Sequence, residues 1–153
     1  MAEPPFDLSK AHRWFAVEFN NRSWDIIESQ ERSAEQVEEL IHTAHASVRH
    51  WIEAGKPINR LRGYCLLAHA YCVADDGATA LNWARRCVDL LEPLAADVTG
   101  FDRASALGCL ARAQRRAGQA DAAKETTART LAAIAELADA DERSVAEKLC
   151  LAE

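Results

Sequence analysis

Apolar residues recur along most of this chain at intervals of three and four, which is the spacing of one face of an α-helix. The segment from Ser33 to Gly55 is the clearest case, since its apolar residues form a single stripe: Val37, Leu40, Ile41, Ala44, Val48, Trp51 and Ile52. Ser33 and Gln36 have the spacing of a capping box at a helix start, and Gly55 predicts a left-handed cap at the helix end. No window alternates apolar and polar residues as a strand does, so the pattern predicts an all-α fold.

Turn and capping residues divide the pattern into seven predicted helices. Asp7 or Ser9 would cap the first helix, Pro57 would begin the third, and Pro93 would end the fourth. The helices are expected at about residues 9–28, 33–55, 57–74, 78–92, 102–118, 120–137 and 141–151. No linker or low-complexity segment interrupts them, which predicts a single domain over residues 1–153.

Two segments of the chain repeat each other at an offset of 43 residues. The shared positions of the first unit are Tyr64, Leu67, Ala68, Tyr71, Ala80, Ala84 and Cys87. Those of the second unit are Leu107, Leu110, Ala111, Gln114, Ala123, Thr127 and Thr130. A constant period predicts stacked helical hairpins that bury their apolar faces against their neighbours. Gly63 and Gly108 are expected to allow close helix contact in such a stack.

Charge and cysteine usage narrow the class of protein. A formal net charge of -6 and a pI near 5.4 argue against nucleic-acid binding, which normally uses a basic surface. The sequence has no run of about 18 apolar residues that would span a membrane. Its first ten residues lack the basic and apolar regions of an export signal. The five cysteines are expected to be reduced thiols, which favours a cytoplasmic location.

The repeated positions resemble the tetratricopeptide (TPR) motif. The first helix of that motif carries a large aromatic residue, a Leu followed by a small residue, and a Tyr, and its second helix carries spaced small residues and a closing Pro. The first unit reproduces this pattern up to Pro93, whereas the second has polar Gln114, Thr127 and Thr130 at apolar positions. The run from Ala44 to Leu67 is similar to a group of small, uncharacterised bacterial TPR-like proteins.

The resemblance implies a right-handed α–α superhelix. It would consist of a divergent helical pair, two TPR-like hairpins and a capping helix, at residues 1–55, 57–93, 101–137 and 139–153. In the capping helix, Val145 and Leu149 are expected to face inward together with Cys150 or Leu151. No nucleophile elbow, phosphate loop or dinucleotide motif is present. We therefore expect a protein- or peptide-binding scaffold rather than an enzyme.

Successive residues of an α-helix are about 100° apart around its axis. On the third helix, a second set of side chains therefore lies about 120° around the axis from the packing face. In TPR arrays the corresponding side of each unit lines a concave groove. The resemblance thus implies a groove lined by Arg62, Cys65, His69, Cys72, Arg112, Arg115 and Arg116. Because guanidinium groups bind carboxylates through paired donors, this basic groove is expected to bind an acidic peptide segment or a carboxylate terminus. Alternatively, these arginines form a solvated face that pairs with acidic residues of neighbouring helices.

Two sets of residues raise the question of a metal site. Cys65, His69 and Cys72 share a helix face, but residues seven apart are separated by about 10.5 Å along the axis, so both sulfurs cannot bind one zinc ion. These cysteines are expected to be packed thiols, and no cofactor is predicted. His42 and His45 could share an ion with a histidine of another helix, which would make the chain a metal-dependent helical-bundle enzyme.

Two further possibilities concern aromatic residues. A small-molecule sensor, with its ligand near Tyr71, Trp83 and His69, is another alternative function. The first helix carries apolar residues on more than one side: Trp14, Phe15, Val17, Phe19, Trp24, Ile26 and Ile27. Such a helix is usually sandwiched between two partners, so a homodimer through the first helix is a secondary prediction.

Overall fold

Residues 4–151 are described by the computed structural model, and they form seven α-helices without a strand. The helices are α1 (Leu8–Glu28), α2 (Ala34–Ala54), α3 (Pro57–Val73), α4 (Gly77–Asp89), α5 (Gly100–Arg116), α6 (Ala120–Ala135) and α7 (Ala140–Cys150). The prediction of an all-α chain with seven helices is therefore confirmed. The ends of the predicted domain, residues 1–3 and 152–153, lie outside the described residues. None of the seven helices has both the length and the apolar character needed to cross a membrane.

Several helices begin where the sequence provides a capping side chain. Asp7, rather than Ser9, caps α1. At the start of α2, Ser33 and Gln36 form the predicted capping box, in which each side chain bonds the other's backbone N–H. Asp102 helps to start α5 and forms a second capping box with Thr99. These bonds satisfy backbone N–H groups that have no partner inside the helix.

The residues with a left-handed backbone conformation differ from the one predicted from the sequence. Gly55 ends α2 with φ -97° and ψ 177°, so the predicted left-handed cap is wrong. A Cβ atom on Gly55 would lie 2.5 Å from the carbonyl oxygen of Trp51, and glycine is needed there for space. The left-handed residues are instead Asp75, with φ 58°, and Gly118, with φ 74°, which follow the ends of α3 and α5.

The helices contact one another in the order produced by stacked hairpins. Each odd-numbered helix packs on the even-numbered helix that follows it, and each even-numbered helix also contacts the next odd-numbered one. The odd-numbered helices form a continuous row from α1 through α3 and α5 to α7. Within residues 4–151, no two even-numbered helices contact each other. All seven predicted groove residues belong to α3 and α5 of this row, while the right-handed superhelix stays a prediction.

Three apolar clusters lie between successive hairpins. The first joins α1, α2 and α3, the second joins α3, α4 and α5, and the third joins α5, α6 and α7. Typical buried members of the three clusters are Leu40 and Leu66, Leu61 and Ala84, and Leu107 and Ile134, respectively. Each hairpin therefore buries its apolar residues against its neighbours, as in other repeat architectures.

Glycines allow the close helix contacts that were predicted for Gly63 and Gly108. A Cβ atom on Gly63 would lie 2.7 Å from Cγ2 of Val48, on α2. A Cβ atom on Gly108 would lie 2.6 Å from the sulfur of Cys150 and 2.9 Å from its Cα atom. Gly108 thus sets how closely α7 can approach α5.

The inward face of α7 differs in part from the predicted one. Val145 is 54% exposed and Leu151 is 37% exposed, so neither fills the core. Ala146 is buried in place of Val145, whereas Cys150 is buried and Leu149 is partly buried, as expected. The close approach of Cys150 to Gly108 explains why small residues of α7 are buried, because only small side chains fit between α7 and α5 there.

Gly108→Ala is expected to lower the free energy of unfolding by about 1–3 kcal/mol, because the added methyl group would overlap Cys150. Helix propensity alone would favour Ala over Gly by about 1 kcal/mol. Urea denaturation of the single variant and of the double variant Gly108→Ala, Cys150→Gly measures the effect. Gly108→Ala should cost less when it is introduced into the Cys150→Gly protein than into the wild type, because the contact with the Cys150 side chain is then absent. A Gly108→Ala protein as stable as the wild type would contradict the close packing of α7 on α5.

Candidate functional site

The structure divides the predicted groove residues among several environments. Arg62 donates to both carboxylate oxygens of Asp102, over 2.8 and 3.0 Å. Arg116 donates to Asp75 over 3.3 Å at the turn after α3. Both of these arginines therefore pair with acidic residues of a neighbouring segment. The guanidinium of Arg115 reaches in the direction of α6, where it donates to the hydroxyl of Thr127 over 3.2 Å.

Cys65 and Cys72 are core residues. They are 6% and 1% exposed, and both belong to the apolar cluster between α3, α4 and α5. Burial raises the pKa of the Cys72 thiol, which is therefore expected to stay protonated at neutral pH. These two side chains face the interior of the middle hairpins, where a ligand in a solvent-filled groove would not contact them.

His69 and Arg112 are brought together between α3 and α5. Nη1 of Arg112 lies 3.2 Å from Nδ1 of His69, and the two residues are 8% and 1% exposed. Because a guanidinium can only donate hydrogen bonds, Nδ1 of His69 must accept, and the neutral ring carries its hydrogen on Nε2. The ring of Trp24 packs against His69, with 5.4 Å between the ring centroids.

The pair leaves two buried donors without an acceptor. Among the residues that the structure describes, Nε of Arg112 and Nε2 of His69 have no hydrogen-bond partner, and Arg112 forms no ion pair. The pKa of Arg112 is lowered, first by burial and further by the charges of Arg116, Arg32 and Arg115. A guanidinium nevertheless stays charged in a protein. The buried charge of Arg112 is therefore uncompensated by any carboxylate in residues 4–151.

Arg32 is a member of this site that the sequence pattern missed. Its side chain donates to the carbonyl oxygens of Ile26 (2.7 Å) and Ile27 at the end of α1. These bonds fix a second cation near Arg112. Arg32 lies in a turn outside the repeated helices, so its spacing in the sequence gave no signal. We call His69 and the four arginines the basic cluster: Arg32, His69, Arg112, Arg115 and Arg116.

The histidines of the alternative metal site have separate partners. His42 is exposed, with Nε2 at 3.9 Å from Glu38 on the same helix. Nε2 of His45 lies 3.0 Å from the hydroxyl of Tyr71. His12 contacts His50 instead, with 2.9 Å between their Nδ1 atoms.

A different set of residues has the spacing of metal ligands. In residues 4–151, the one group of three or more Cys, His, Asp or Glu side chains close enough to share an ion is Cys65, Cys87 and Cys109. Of these, the sequence pattern marked Cys65 as a site residue and treated Cys87 as a packing position of the repeat. Neither His42 nor His45 belongs to the group.

The aromatic residues of the alternative ligand region are only partly together. The rings of His45 and Trp83 lie 5.8 Å apart, and Tyr64 lies 5.1 Å from Trp83. Arg86 covers Trp83 with its guanidinium 5.0 Å from the ring centroid, a distance typical of a cation–π contact. His69, the third residue expected there, packs instead on Trp24 of α1. Tyr71 joins the Trp83 group through its contact with His45.

Asp102 combines two structural tasks. Its carboxylate accepts two bonds from Arg62 and two from Thr99, one from the backbone and one from the hydroxyl. Burial acts to raise the pKa of Asp102, but these hydrogen bonds outweigh it and the pKa is lowered. Asp102 thus ties the start of α5 to α3.

Asp102→Asn is expected to lower the free energy of unfolding by about 2–3 kcal/mol at pH 7, because charge-assisted bonds to Arg62 are lost. Since folding lowers the pKa of Asp102, its contribution is present above the pKa of the unfolded chain, about 4. It is lost as the pH falls through the lower pKa of the folded chain. Urea denaturation between pH 7 and pH 3 should show the wild type and the variant converging in acid. The exposed Asp97→Asn serves as the control. A difference that persists unchanged at pH 3 would argue against the ion pair.

Comparisons with known proteins assign no family to this arrangement. No family model, no curated protein and no solved structure matched the chain. The relation to TPR proteins therefore stays a prediction from the repeated residues. The function has to be inferred from the basic cluster and from the cysteine group themselves.

Proposed function

We propose that this chain is a non-enzymatic scaffold that binds an acidic peptide segment, or a carboxylate terminus, at the basic cluster. The observation that carries the proposal is the buried guanidinium of Arg112, which has no carboxylate partner among residues 4–151. A buried charge is stable only when it is paired, and leaving one unpaired is strongly unfavourable. A carboxylate supplied by a partner would provide the missing charge.

The unpartnered nitrogens of Arg112 and His69 suit an anion. Both Nε of Arg112 and Nε2 of His69 carry hydrogens, so a metal ion would find no lone pair on either atom. A carboxylate, in contrast, has two oxygens that only accept. Hydrogen bonds from a cation to a carboxylate are about twice as strong as neutral ones. The nearby charge of Arg32, whose side chain bonds carbonyl oxygens, would add to the attraction.

A second unpartnered group favours a peptide over a small anion. The hydroxyl of Ser105 is buried and has no hydrogen-bond partner in the described part of the chain. Ser105 precedes Arg112 by two helical turns on nearly the same face of α5, about 10.5 Å away along the axis. About three residues of extended chain span that distance. A segment lying along α5 could therefore contact both positions.

An apolar depression lies beside the basic cluster. It has a volume of about 480 Å³ and is lined by Ala120, Ala123, Lys124, Thr127, Ala128 and Leu131, together with Arg115. Leu131 is 47% exposed there. An apolar side chain next to the acidic residue of the ligand could occupy this depression. We therefore propose a preference for acidic segments that also carry an apolar residue.

The location of the protein also belongs to the proposal. We propose a cytoplasmic scaffold, because all five cysteines are free thiols, as is usual for proteins of a reducing compartment. The overall charge of -6 would disfavour binding of nucleic acids.

Arg112→Met is expected to weaken binding of acidic peptides at least tenfold, because the charged partner of the carboxylate is removed. The assay is fluorescence anisotropy with a panel of labelled peptides that contain Asp or Glu and have a free carboxyl terminus. Amidated peptides with Asn and Gln at the same positions are the ligand controls. Arg103→Met changes an exposed arginine of the same helix and is the matched protein control. Affinity that is equal for both variants would refute the proposal.

The stability of Arg112→Met separates binding from folding. Replacing a buried, unpaired cation by an apolar side chain should leave the free energy of unfolding unchanged or raise it by about 1 kcal/mol or more. Loss of binding together with undiminished stability would identify Arg112 as a ligand-binding residue. A large loss of stability would instead show that Arg112 holds the fold, and would contradict its proposed role.

We further propose a homodimer through α1. Trp14 is 58% exposed and Phe15 and Val17 are each 39% exposed, although all three are large apolar residues on one helix. Leu8, the first residue of α1, and Phe6, two residues before it, are also exposed. Several exposed large apolar residues on one helix are typical of an interaction site, and a second copy of α1 offers a matching surface.

Light scattering coupled to size-exclusion chromatography is expected to give the mass of a dimer at micromolar concentration. The double variant Trp14→Ser, Phe15→Ser should elute as a monomer, because it removes the apolar contact area without touching the core. Ile52→Ser, which changes an exposed apolar residue of α2, is the control and should stay dimeric. A monomeric mass for the unaltered protein would exclude the dimer.

A further inference from the structure

Three cysteines from three consecutive helices meet in the core. Cys65 lies on α3, Cys87 on α4 and Cys109 on α5, and their sulfur atoms all lie within 4.8 Å of one another. They are 6%, 0% and 1% exposed, and the surrounding cluster is apolar. We call these three residues the thiol cluster. It has no residue in common with the basic cluster and takes no part in the proposed peptide binding.

The present hydrogen bonds of the thiol cluster are weak. The sulfur of Cys87 lies 3.3 Å from the carbonyl oxygen of Leu61, and that of Cys109 lies 3.2 Å from the carbonyl oxygen of Ala106. Cys65 lies 3.7 Å from a carbonyl oxygen of α5. Thiols are weak donors, so these contacts hold the sulfurs only loosely. The sulfurs could therefore turn inward to a shared ion without losing strong bonds.

The distances suit a three-coordinate ion. Three sulfurs at about 2.3 Å from one metal ion in a plane are separated by about 4 Å from each other. The observed separations of up to 4.8 Å need a contraction of less than 1 Å, which side-chain rotation about χ1 can supply. We propose that the thiol cluster is a binding site for one Cu(I) ion, held by Cys65, Cys87 and Cys109.

The ligand set favours Cu(I) over Zn(II). Soft thiolate sulfur selects Cu(I) as well as zinc, but zinc in structural sites almost always takes four ligands. In the described chain no fourth Cys, His, Asp or Glu atom joins the group. His69, one helical turn after Cys65, is the nearest candidate by sequence. Because its Nδ1 accepts from Arg112, its Nε2 carries a hydrogen and offers no lone pair.

Binding of Cu(I) at the thiol cluster is expected to release protons. Each sulfur that binds as a thiolate releases one proton to solvent. The affinity for Cu(I) is therefore expected to rise with pH.

The test is an anaerobic titration of the reduced, full-length protein with Cu(I) in competition with the chelator bicinchoninate. We expect one ion per chain, with the ultraviolet charge-transfer absorption of Cu(I)–thiolate bonds. X-ray absorption of the complex should show three sulfur neighbours at about 2.3 Å. Cys109→Ala should weaken Cu(I) binding roughly 100-fold, because it removes a ligand. Cys72→Ala, which changes a buried cysteine of α3 outside the cluster, should bind like the wild type.

Other outcomes would overturn the assignment. Equal Cu(I) affinity in Cys109→Ala and Cys72→Ala would mean that the ion binds elsewhere. If Zn(II) bound more tightly than Cu(I), and if His69→Ala lost Zn(II) binding, the site would be a four-ligand zinc site and not a Cu(I) site. Circular dichroism of each variant confirms that the helices remain. His69→Ala also separates the two proposals, because it should weaken peptide binding and leave Cu(I) binding unchanged.

Discussion

The close packing of α3, α4 and α5 is the constraint on which the rest of this structure depends. Small residues on these helices, Ala68, Ala80, Ala84 and Ala106 among them, are fully buried and let the backbones approach. Between such closely packed helices, the core has room for cysteine sulfur atoms. A long side chain that begins at the contact between two of these helices is enclosed by them. The same packing therefore brings three thiols together and buries the guanidinium of Arg112. Neither feature could exist between helices that are separated by large side chains.

The seven helices were predictable from local signals, because helix ends and apolar stripes depend on neighbouring residues. The capping box at Ser33 and the seven apolar segments needed no knowledge of distant contacts. Polar residues at repeat positions are explained by the structure as well. Thr127 and Thr130 each bond a carbonyl oxygen four residues earlier in α6, so their hydroxyls are satisfied within the helix. They can occupy positions that are apolar in the motif.

The site was less predictable, since it depends on which helices meet and how closely. Helical spacing placed Arg112 and His69 on one side of their helices, but could not show that Arg112 would be buried without a carboxylate. Arg32, a member of the basic cluster, lies in the turn between α1 and α2, and helical periodicity does not predict where the side chain of a turn residue lies. For the thiol cluster a signal was available: the three cysteines are spaced by 22 residues each, about half the repeat of 43. In consecutive antiparallel helices, two residues lie at the same level when they are equally far along the chain from the turn between the helices, as Cys65 and Cys87 are from Asp76.

The distribution of cysteines over the helices has a consequence for how the chain opens. Cys150 belongs to α7, a terminal helix that contacts only α5 and α6 in the described residues, whereas Cys65, Cys87 and Cys109 belong to three different helices of the middle. Fraying of α7 would uncover one sulfur and leave the others enclosed. Exposure of all three middle sulfurs requires α3, α4 and α5 to separate together, which amounts to unfolding of the whole array. The terminal thiol is thus the one that chemical reagents reach first.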